Sequence, residues 1–445
     1  MFSSKLKNEF KAGAAAVTIT PSNSHFLFGY PFVERMSTGT NDELLSSALY
    51  ITNGESQILF ISNDVIYVSK DFVARIRKRI REKTGIPESN ILLAATHTHS
   101  APVTAEIAIS SNDPIVPKVD KQYLEFMEDR TVDSACQAYE KAELAEVSFV
   151  IGDATGVGTN RHNPDWPKDM DVPTMTVRNK NNKFIGCMLV CSMHPTVLHE
   201  DSTLYSGDFP YYTRELLQKE ILGRKCPVVY FTGTAGNQSP RHVTKANTFE
   251  EAKRIGELVS KSIISKLSGD VSYVSEISIS TAQEFVDLPK RKFPSVESSK
   301  HNRTKAKKLF ENLKKTSKIP QEIRTAEVNW FGAEELFYLS TLAELNKLDE
   351  YYSMCLPAEI QAVKVGSWKF VAWPGEIFVE YGLELKKHFE DVFMLTYANG
   401  ELQGYITTKE AYEKGFYEAG NSFFDYRAGE ILMEKTINLL KGINK

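Results

Sequence analysis

The sequence predicts an α/β fold with a mixed β-sheet core, helices packed around it and a functional site at the strand ends. Short, nearly continuous apolar runs rich in Val, Ile, Leu and Phe recur between helical patterns, as is typical of strands buried on both faces. No repeat of fixed period and no heptad run is present, which argues against solenoids and long coiled coils. We therefore expect one large domain over residues 1–445.

An early helix and strand illustrate this pattern. Residues 71–84 predict a helix, with Ser69 as its amino-terminal cap and Gly85 as its stop. An apolar strand, residues 91–95, then leads directly into the sequence THTHS at residues 96–100. Two histidines therefore follow the end of a predicted strand.

Five predicted strands end in residues that can bind a metal ion, transfer a proton or turn tightly. These strands are residues 91–95, 184–193, 228–231, 368–373 and 392–397. The residues that follow the strands include His97, His99, His194, Glu376 and the loop 232–241. In α/β sheets ligands collect at the carboxyl ends of strands, so we predict one composite site.

The histidines predict a metal site. His97 and His99 are two residues apart, so in an extended backbone both rings point to the same side. A lone histidine is more often a structural residue, but the strand-end context favours ligands here, with His194 as a third imidazole and Glu376 as a carboxylate. This combination suits catalytic zinc, whereas magnesium and calcium prefer oxygen ligands. No HExxH helix is present, so the common metalloprotease arrangement is excluded.

Two loops supply further polar side chains. The loop 233–241 lacks the phosphate-loop and nucleophile-elbow patterns. It either directs Ser239 into the site as a nucleophile or holds it as a plain turn serine, and composition favours the turn serine. Arg161, in the loop 156–164, either pairs with an acidic neighbour at the surface or supplies a fixed positive charge to an oxyanion or carboxylate.

Composition and charge restrict the function classes. The chain has 53 Lys plus Arg against 57 Asp plus Glu, a net charge of −4, which argues against a nucleic-acid binder that acts through bulk charge. No apolar run is long enough for stable membrane insertion, and the amino end lacks a signal-peptide pattern. Five cysteines without a CxxC motif suit a reducing compartment. We therefore expect a cytoplasmic protein, and no feature predicts its oligomeric state.

One segment differs from the rest in charge. Residues 290–324 contain 12 Lys or Arg and 3 acidic residues. We interpret this basic segment as a solvated helical insertion. The alternatives are a lid or a peripheral contact with an anionic surface such as a membrane.

The order of these motifs resembles the neutral/alkaline, non-lysosomal ceramidase family. The shared motifs run from about Ala12 to the tail: THTHS, NRxxP, a strand-end His followed by SGD, a Gly-rich loop closing in SP, PGE, and two tyrosines twelve residues apart. In that family two His, a Glu and a Tyr hold a zinc ion, which the resemblance places at His97, His194, Glu376 and Tyr405. It further places the proposed nucleophile at Ser239 and other active-site residues at His99, Arg161 and Tyr417.

The resemblance implies a zinc-dependent hydrolase of an N-acyl amide bond, which converts N-acylsphingosine or a related lipid amide to a fatty acid and an amine. His99 or a neighbouring carboxylate would relay the proton, Arg161 and Tyr417 would stabilise the oxyanion, and Ser239 would either attack the carbonyl or position the bond. Well-known ceramidases carry an additional carboxyl-terminal β-sandwich domain, which we do not expect here. Two alternatives stay open: a metallohydrolase of another small amide or ester, and a non-catalytic binding protein with a vestigial site.

Overall fold

The computed structural model describes residues 9–108, 111 and 113–443. Its strands, numbered in chain order, are β1 (Lys11–Thr18), β2 (Leu27–Phe28), β3 (Gly39–Thr40), β4 (Leu45–Thr52), β5 (Gln57–Asn63), β6 (Ile91–Ala95), β7 (Ala101–Pro102), β8 (Glu143–Asp153), β9 (Thr159–Asn160), β10 (Asp171–Asn179), β11 (Phe184–Cys191), β12 (Leu204–Tyr205), β13 (Val228–Thr232), β14 (Gln238–Ser239), β15 (Ile279–Val286), β16 (Ala358–Val365), β17 (Trp368–Ala372), β18 (Glu376–Ile377), β19 (Val392–Leu395) and β20 (Tyr405–Ile406).

The α-helices of the described residues lie between and after these strands. They are α1 (Lys70–Thr84), α2 (Lys121–Glu140), α3 (Phe209–Leu217), α4 (Phe249–Leu267), α5 (Val296–Thr316), α6 (Pro320–Glu344), α7 (Asp349–Cys355), α8 (Val379–His388), α9 (Lys409–Lys414), α10 (Tyr417–Gly420) and α11 (Arg427–Ile443). Helix α1 begins and ends as predicted, because the Ser69 side chain accepts a hydrogen bond from the Phe72 N–H and Gly85 adopts a left-handed conformation with φ 76°.

Two mixed sheets form the core, which confirms the predicted α/β class. One has eight strands in the order β13-β11-β10-β8-β1-β4-β5-β6, and the other has four in the order β15-β16-β17-β19. The pairs β5–β6, β11–β13 and β17–β19 are parallel. The five predicted strands that carry the candidate site are therefore β6, β11, β13, β17 and β19, each within two residues of its predicted ends.

Inner faces of the two sheets share one apolar cluster. Phe60 of β5 lies edge-to-face against Phe231 of β13 and Phe370 of β17, with ring centroids 6.3 and 5.9 Å away. Strands β13 and β5 lie near opposite ends of the eight-stranded sheet, and β17 lies in the four-stranded sheet. Both ends of the large sheet therefore pack against the small sheet in this cluster. The outer faces are covered by α1 and α2, by α3 and α4, and by α8 and α11.

The basic segment 290–324 contains α5 and the start of α6. These helices pack against each other, with the rings of Phe310 and Trp330 stacked at 5.6 Å. Most side chains of α5 are exposed, as the prediction of a solvated helix requires, whereas the first turns of α6 line a cavity of about 600 Å³. The single-domain organisation and the absence of a β-sandwich domain stay predictions.

Within the described residues, no helix is both long and apolar enough to cross a membrane. The expected cytoplasmic location stays a prediction.

A buried ion pair joins α1 to the four-stranded sheet. The Arg77 guanidinium donates to both carboxylate oxygens of Glu359 on β16, at 2.7 and 2.9 Å, and to the Ile91 carbonyl at 2.9 Å. Both side chains of the ion pair are less than 9% exposed. Because β16 neighbours β17, which leads to Glu376, this pair connects the two parts of the fold that carry the candidate site.

We expect Glu359→Gln to lower the free energy of unfolding by about 3 kcal/mol, because it leaves the Arg77 charge buried without its counter-ion. The control is Glu257→Gln, which breaks the exposed Glu257–Lys261 pair and should cost less than about 1 kcal/mol. Urea unfolding followed by circular dichroism measures both changes. Equal, small losses in the two variants would contradict the structural role of the buried pair.

Candidate metal centre and active site

Strand ends meet at the position where the sequence predicts a composite site. After β13 and β6, the Thr232 hydroxyl donates to the Thr96 carbonyl at 2.7 Å. After β19, the Thr396 N–H donates to the Thr232 carbonyl at 2.9 Å, and the Tyr397 carbonyl accepts from the Ala95 N–H at 3.1 Å. These bonds hold the three loops side by side.

Three histidine side chains direct their Nε2 atoms at one another. The Nε2 atom of His97 lies 3.1 Å from that of His194 and 3.3 Å from that of His99. All three rings can thus offer a nitrogen to one ion, since the ligand atoms lie within 4.8 Å of one another. The Nδ1 atoms of His97, His99 and His194 face the backbone carbonyls of Ile66, Gly29 and Ala235, at 2.9, 3.0 and 2.6 Å.

These carbonyl contacts determine the tautomers. A carbonyl oxygen only accepts hydrogen bonds, so each Nδ1 carries the hydrogen and each neutral ring has a bare lone pair on Nε2. Burial lowers the pKa of His99 well below its usual value and that of His194 to about 4, so both rings are neutral near pH 7. Three converging lone pairs fit a metal ion, and an Nδ1–H bonded to a carbonyl is a usual second contact of a ligating histidine.

A carboxylate completes this arrangement. Oε2 of Glu376 lies 3.2 Å from Nε2 of His194 and 3.5 Å from Nε2 of His97, and no described residue donates a hydrogen bond to it. Its Oε1 accepts from the Tyr67 hydroxyl at 2.6 Å. A buried carboxylate oxygen without a donor beside imidazole lone pairs fits a cation site.

Backbone pairing places Tyr405 beside Glu376. Strands β18 and β20 pair in parallel with these two residues opposite each other, which sets their backbones about 4.8 Å apart. Burial and the Glu376 charge raise the pKa of Tyr405 well above its usual value, so a phenolate at this position needs a nearby cation. The residue predicted as the fourth ligand therefore lies at the site.

Arg161 is held in place by a buried carboxylate. Its Nε donates to Oε1 of Glu418 at 2.6 Å, so the pairing considered from the sequence is present but buried rather than at the surface. Its Nη2 is buried and has no hydrogen-bond partner in the described part of the chain. The guanidinium carbon lies 5.4 and 5.8 Å from the ring centres of Tyr405 and Tyr417. The Nη2 group of Arg161 is therefore an unused hydrogen-bond donor near the rings of Tyr405 and Tyr417.

Ser239 lies next to this arginine because β9 and β14 form a two-stranded ribbon. The Ser239 hydroxyl accepts from the Arg241 N–H at 3.4 Å and caps the short helical turn that follows. Among the described residues, no histidine or carboxylate lies within hydrogen-bond distance of this hydroxyl. Ser239 thus has the contact of a turn serine and, at the same time, lines the cavity.

These side chains share a cavity of about 600 Å³. The residues that line it include the side chains His99, His194, Arg161, Ser239, Tyr405 and Tyr417, together with residues of α6 between 320 and 331. A smaller cavity of about 80 Å³ adjoins it and is lined largely by apolar side chains, including Phe28, Phe32, Ile107 and Val116. All eight residues singled out from the sequence thus lie at one connected site, since Glu376 also lines the smaller cavity and His97 contacts both His99 and His194.

One sequence premise is wrong and several residues were missed. His97 is not in extended backbone but has φ 68°, and its ring stacks on that of Tyr397 at 3.9 Å. Glu401, which follows β19, accepts hydrogen bonds from Gln403 instead of joining the site. Sequence reasoning missed Tyr67 and the ion-pair partner Glu418. Only Glu418 had a signal, since it follows the predicted Tyr417.

Comparison with known proteins supports a family relationship. Residues 10–227 match the family model described as neutral/alkaline non-lysosomal ceramidase, N-terminal. The chain is 23% identical over 252 residues to the neutral ceramidase of Pseudomonas aeruginosa, which covers 52% of this chain and 38% of that protein. It is 20% identical over 248 residues to neutral ceramidase B of Dictyostelium discoideum. That alignment covers 52% of this chain and 33% of that protein. Each match therefore spans about a third of the length of the curated relative.

Solved structures show the same fold. The crystal structure of the Pseudomonas aeruginosa neutral ceramidase matches with a TM-score of 0.74 at 17% identity, over 97% of this chain and 74% of that chain. A ceramidase complexed with C2 matches with a TM-score of 0.75 at 16% identity, over 98% and 75%. The resemblance seen in the motifs is confirmed, and residues 10–227 belong to the neutral/alkaline non-lysosomal ceramidase family.

We expect the protein, purified without chelator or affinity metal, to carry about one divalent metal ion per chain. His97→Ala and His194→Ala should each lose the ion, because each removes one of the converging nitrogens. Elemental analysis measures the content, with His301→Ala on the exposed face of α5 as the control. A folded wild-type protein without metal, even after incubation with zinc, would contradict this interpretation of the cluster.

Proposed function

We propose that the protein is a zinc-dependent hydrolase of N-acyl amide bonds. Its substrate would be ceramide or a related lipid amide, cleaved to a fatty acid and an amine. The observation that carries this proposal is the set of imidazole lone pairs and the Glu376 oxygen that converge beside a cavity of about 600 Å³. Nitrogen and carboxylate ligands favour zinc over magnesium or calcium. The names of the relatives, neutral ceramidases, support an amide as the bond cleaved.

Four residues would hold the zinc ion: His97, His194, Glu376 and Tyr405. The first three place ligand atoms within 3.5 Å of one another, and Tyr405 lies opposite Glu376 in the β18–β20 pair. A zinc ion held there would supply Lewis-acid chemistry, polarising an amide carbonyl and making water a stronger nucleophile at neutral pH. Tyr67 orients Glu376 by its hydrogen bond to the other carboxylate oxygen.

His99 would accept the proton from the attacking water and return it to the leaving amine. It is more exposed than His97 and His194, and it lines both cavities. The Gly29 carbonyl fixes its hydrogen on Nδ1, and its lowered pKa keeps Nε2 free to accept a proton at neutral pH. These are the properties of a general base that lies within reach of the substrate.

Arg161 and Tyr417 would donate to the oxygen that becomes negative in the transition state. Nη2 of Arg161 has no partner among the described residues, while the Glu418 pair keeps the side chain in place. The Tyr417 hydroxyl accepts from the Asn421 side chain at 3.2 Å, so its own hydrogen remains available, and burial keeps its pKa well above the usual value. Fixed donors of this kind act strongly because they need no reorganisation during the reaction.

Ser239 fits the positioning role better than the nucleophile role. A serine nucleophile needs a base that takes its proton, and no base among the described residues contacts this hydroxyl. We therefore assign the attack to water, with Ser239 next to the scissile group. The adjoining apolar cavity would receive part of the acyl chain.

We expect His99→Ala to keep its metal and to lose about a hundredfold or more in kcat, because the proton acceptor is gone. His97→Ala should lose both metal and activity. The measurement is fatty-acid release from N-acyl amides of increasing chain length, followed by mass spectrometry, with His301→Ala as the control. Near-normal turnover by metal-loaded His99→Ala would contradict the role of His99. A metal-loaded wild type that hydrolyses none of the amides would contradict the proposed function.

A further inference from the structure

We propose that the substrate carries an anionic group on its amine part, as in an N-acyl amino acid, and that Arg241 binds this group. This inference rests on the proposed amide hydrolysis and names the substrate class of the same site. It differs from ceramide, whose amine part carries only hydroxyl groups.

Arg241 is a partly buried cation without a counter-ion. It follows Ser239 by two residues, lies in the short helical turn 240–242 and lines the large cavity. Within the described residues its guanidinium has neither a carboxylate within 4 Å nor a side-chain hydrogen bond. Three buried arginines, by contrast, each have a carboxylate partner: Arg77 pairs with Glu359, Arg161 with Glu418 and Arg214 with Asp64. An arginine left in this state beside a cavity fits the recognition of an anion.

The cavity around Arg241 is positive. Its charged lining side chains other than histidine are Arg161, Arg241, Lys245, Arg324, Glu200 and Glu327. Both glutamates form ion pairs with Arg324, at 2.9 Å for Glu200 and 2.7 Å for Glu327. Lys245, like Arg241, forms no ion pair with any described residue, so two cations face the cavity without partners.

Burial and the Arg161 charge lower the pKa of Arg241 to about 10, so the side chain stays protonated at neutral pH while it lies in a positive environment. An anion that enters would relieve this repulsion as well as form hydrogen bonds. The planar guanidinium matches a carboxylate better than a lone hydroxyl, because it can donate two parallel hydrogen bonds. A carboxylate two bonds from the amide nitrogen meets this requirement, as in N-acylglycine.

The position of Arg241 also fits the amine side of the bond. His99, Ser239 and Arg241 line the large cavity, whereas the described residues that line the smaller cavity include no arginine or lysine and are largely apolar, which suits an acyl chain. His99 borders both cavities, so an amide bond near His99 would have its acyl chain on one side and its amine part on the other. The amine part would then lie between Arg241 and the α6 wall.

The test compares two substrates with the same acyl chain and amine parts of similar size. The metal-loaded full chain is assayed with N-lauroylglycine, which is anionic, and N-lauroylethanolamine, which is neutral. We expect the wild type to prefer the anionic amide in kcat/KM. Arg241→Gln should lower the ratio of the two kcat/KM values by about tenfold to a hundredfold, the usual range for loss of charge-assisted hydrogen bonds. Arg241→Lys should lower it less.

The control is Lys253→Gln, an exposed residue of α4, which changes the net charge equally and should leave the ratio unchanged. A wild type that prefers the neutral amide, or an Arg241→Gln variant with an unchanged ratio, would overturn the inference while amide hydrolysis still stands. If Arg241 instead holds the fatty-acid product, Arg241→Gln would weaken inhibition by laurate and leave the ratio unchanged, which also overturns it.

A separate binding measurement distinguishes failure of this inference from failure of the proposed function. If neither of these amides nor ceramide is hydrolysed, the proposed function is wrong, and calorimetry with the same two compounds decides the inference. Tighter binding of N-lauroylglycine than of N-lauroylethanolamine, lost in Arg241→Gln, would support the anion site. Equal binding of both compounds would overturn it.

Discussion

Imidazole nitrogens with facing lone pairs repel one another unless a cation lies between them, and the surrounding fold holds three such nitrogens together. Each ring is fixed by a backbone carbonyl from a different loop: Ile66 after β5, Gly29 after β2 and Ala235 after β13. His97 and Tyr397 both have a backbone with positive φ, and their rings stack on each other beside the site. Such conformations cost about 1–3 kcal/mol each and persist only where packing enforces them.

The two-sheet architecture supplies that enforcement. The halves of the eight-stranded sheet and the four-stranded sheet share one core, which brings the carboxyl ends of β6, β11, β13 and β19 to one place. The site then divides into walls of different chemistry. Glycine-rich and polar loops carry the ligands and donors, α6 adds charged and apolar side chains to the large cavity, and the smaller cavity is lined largely by apolar side chains. A substrate with one apolar end and one polar end matches this division.

Much of this arrangement could be predicted from the sequence. The apolar runs predicted the ends of β6, β11, β13, β17 and β19 to within two residues. The tendency of ligands to bind at strand ends predicted the composite site. Tyr405 came from the family resemblance alone, because its pairing with Glu376 joins segments far apart in the chain. Contacts of this long-range kind also explain why Tyr67 and the partner of Arg161 were missed. The positive φ of His97 could not be predicted either, since histidine has no intrinsic preference that requires it.

The proposed mechanism depends on zinc binding by His97, His194, Glu376 and Tyr405, and anomalous diffraction can detect that ion. Crystals of the protein purified without chelator are measured on both sides of the zinc absorption edge. We expect one strong anomalous peak about 2.0–2.1 Å from Nε2 of both His97 and His194, with a carboxylate oxygen of Glu376 at a similar distance. Ordered side chains in the present arrangement with no peak among them, in crystals also soaked in zinc, would contradict it.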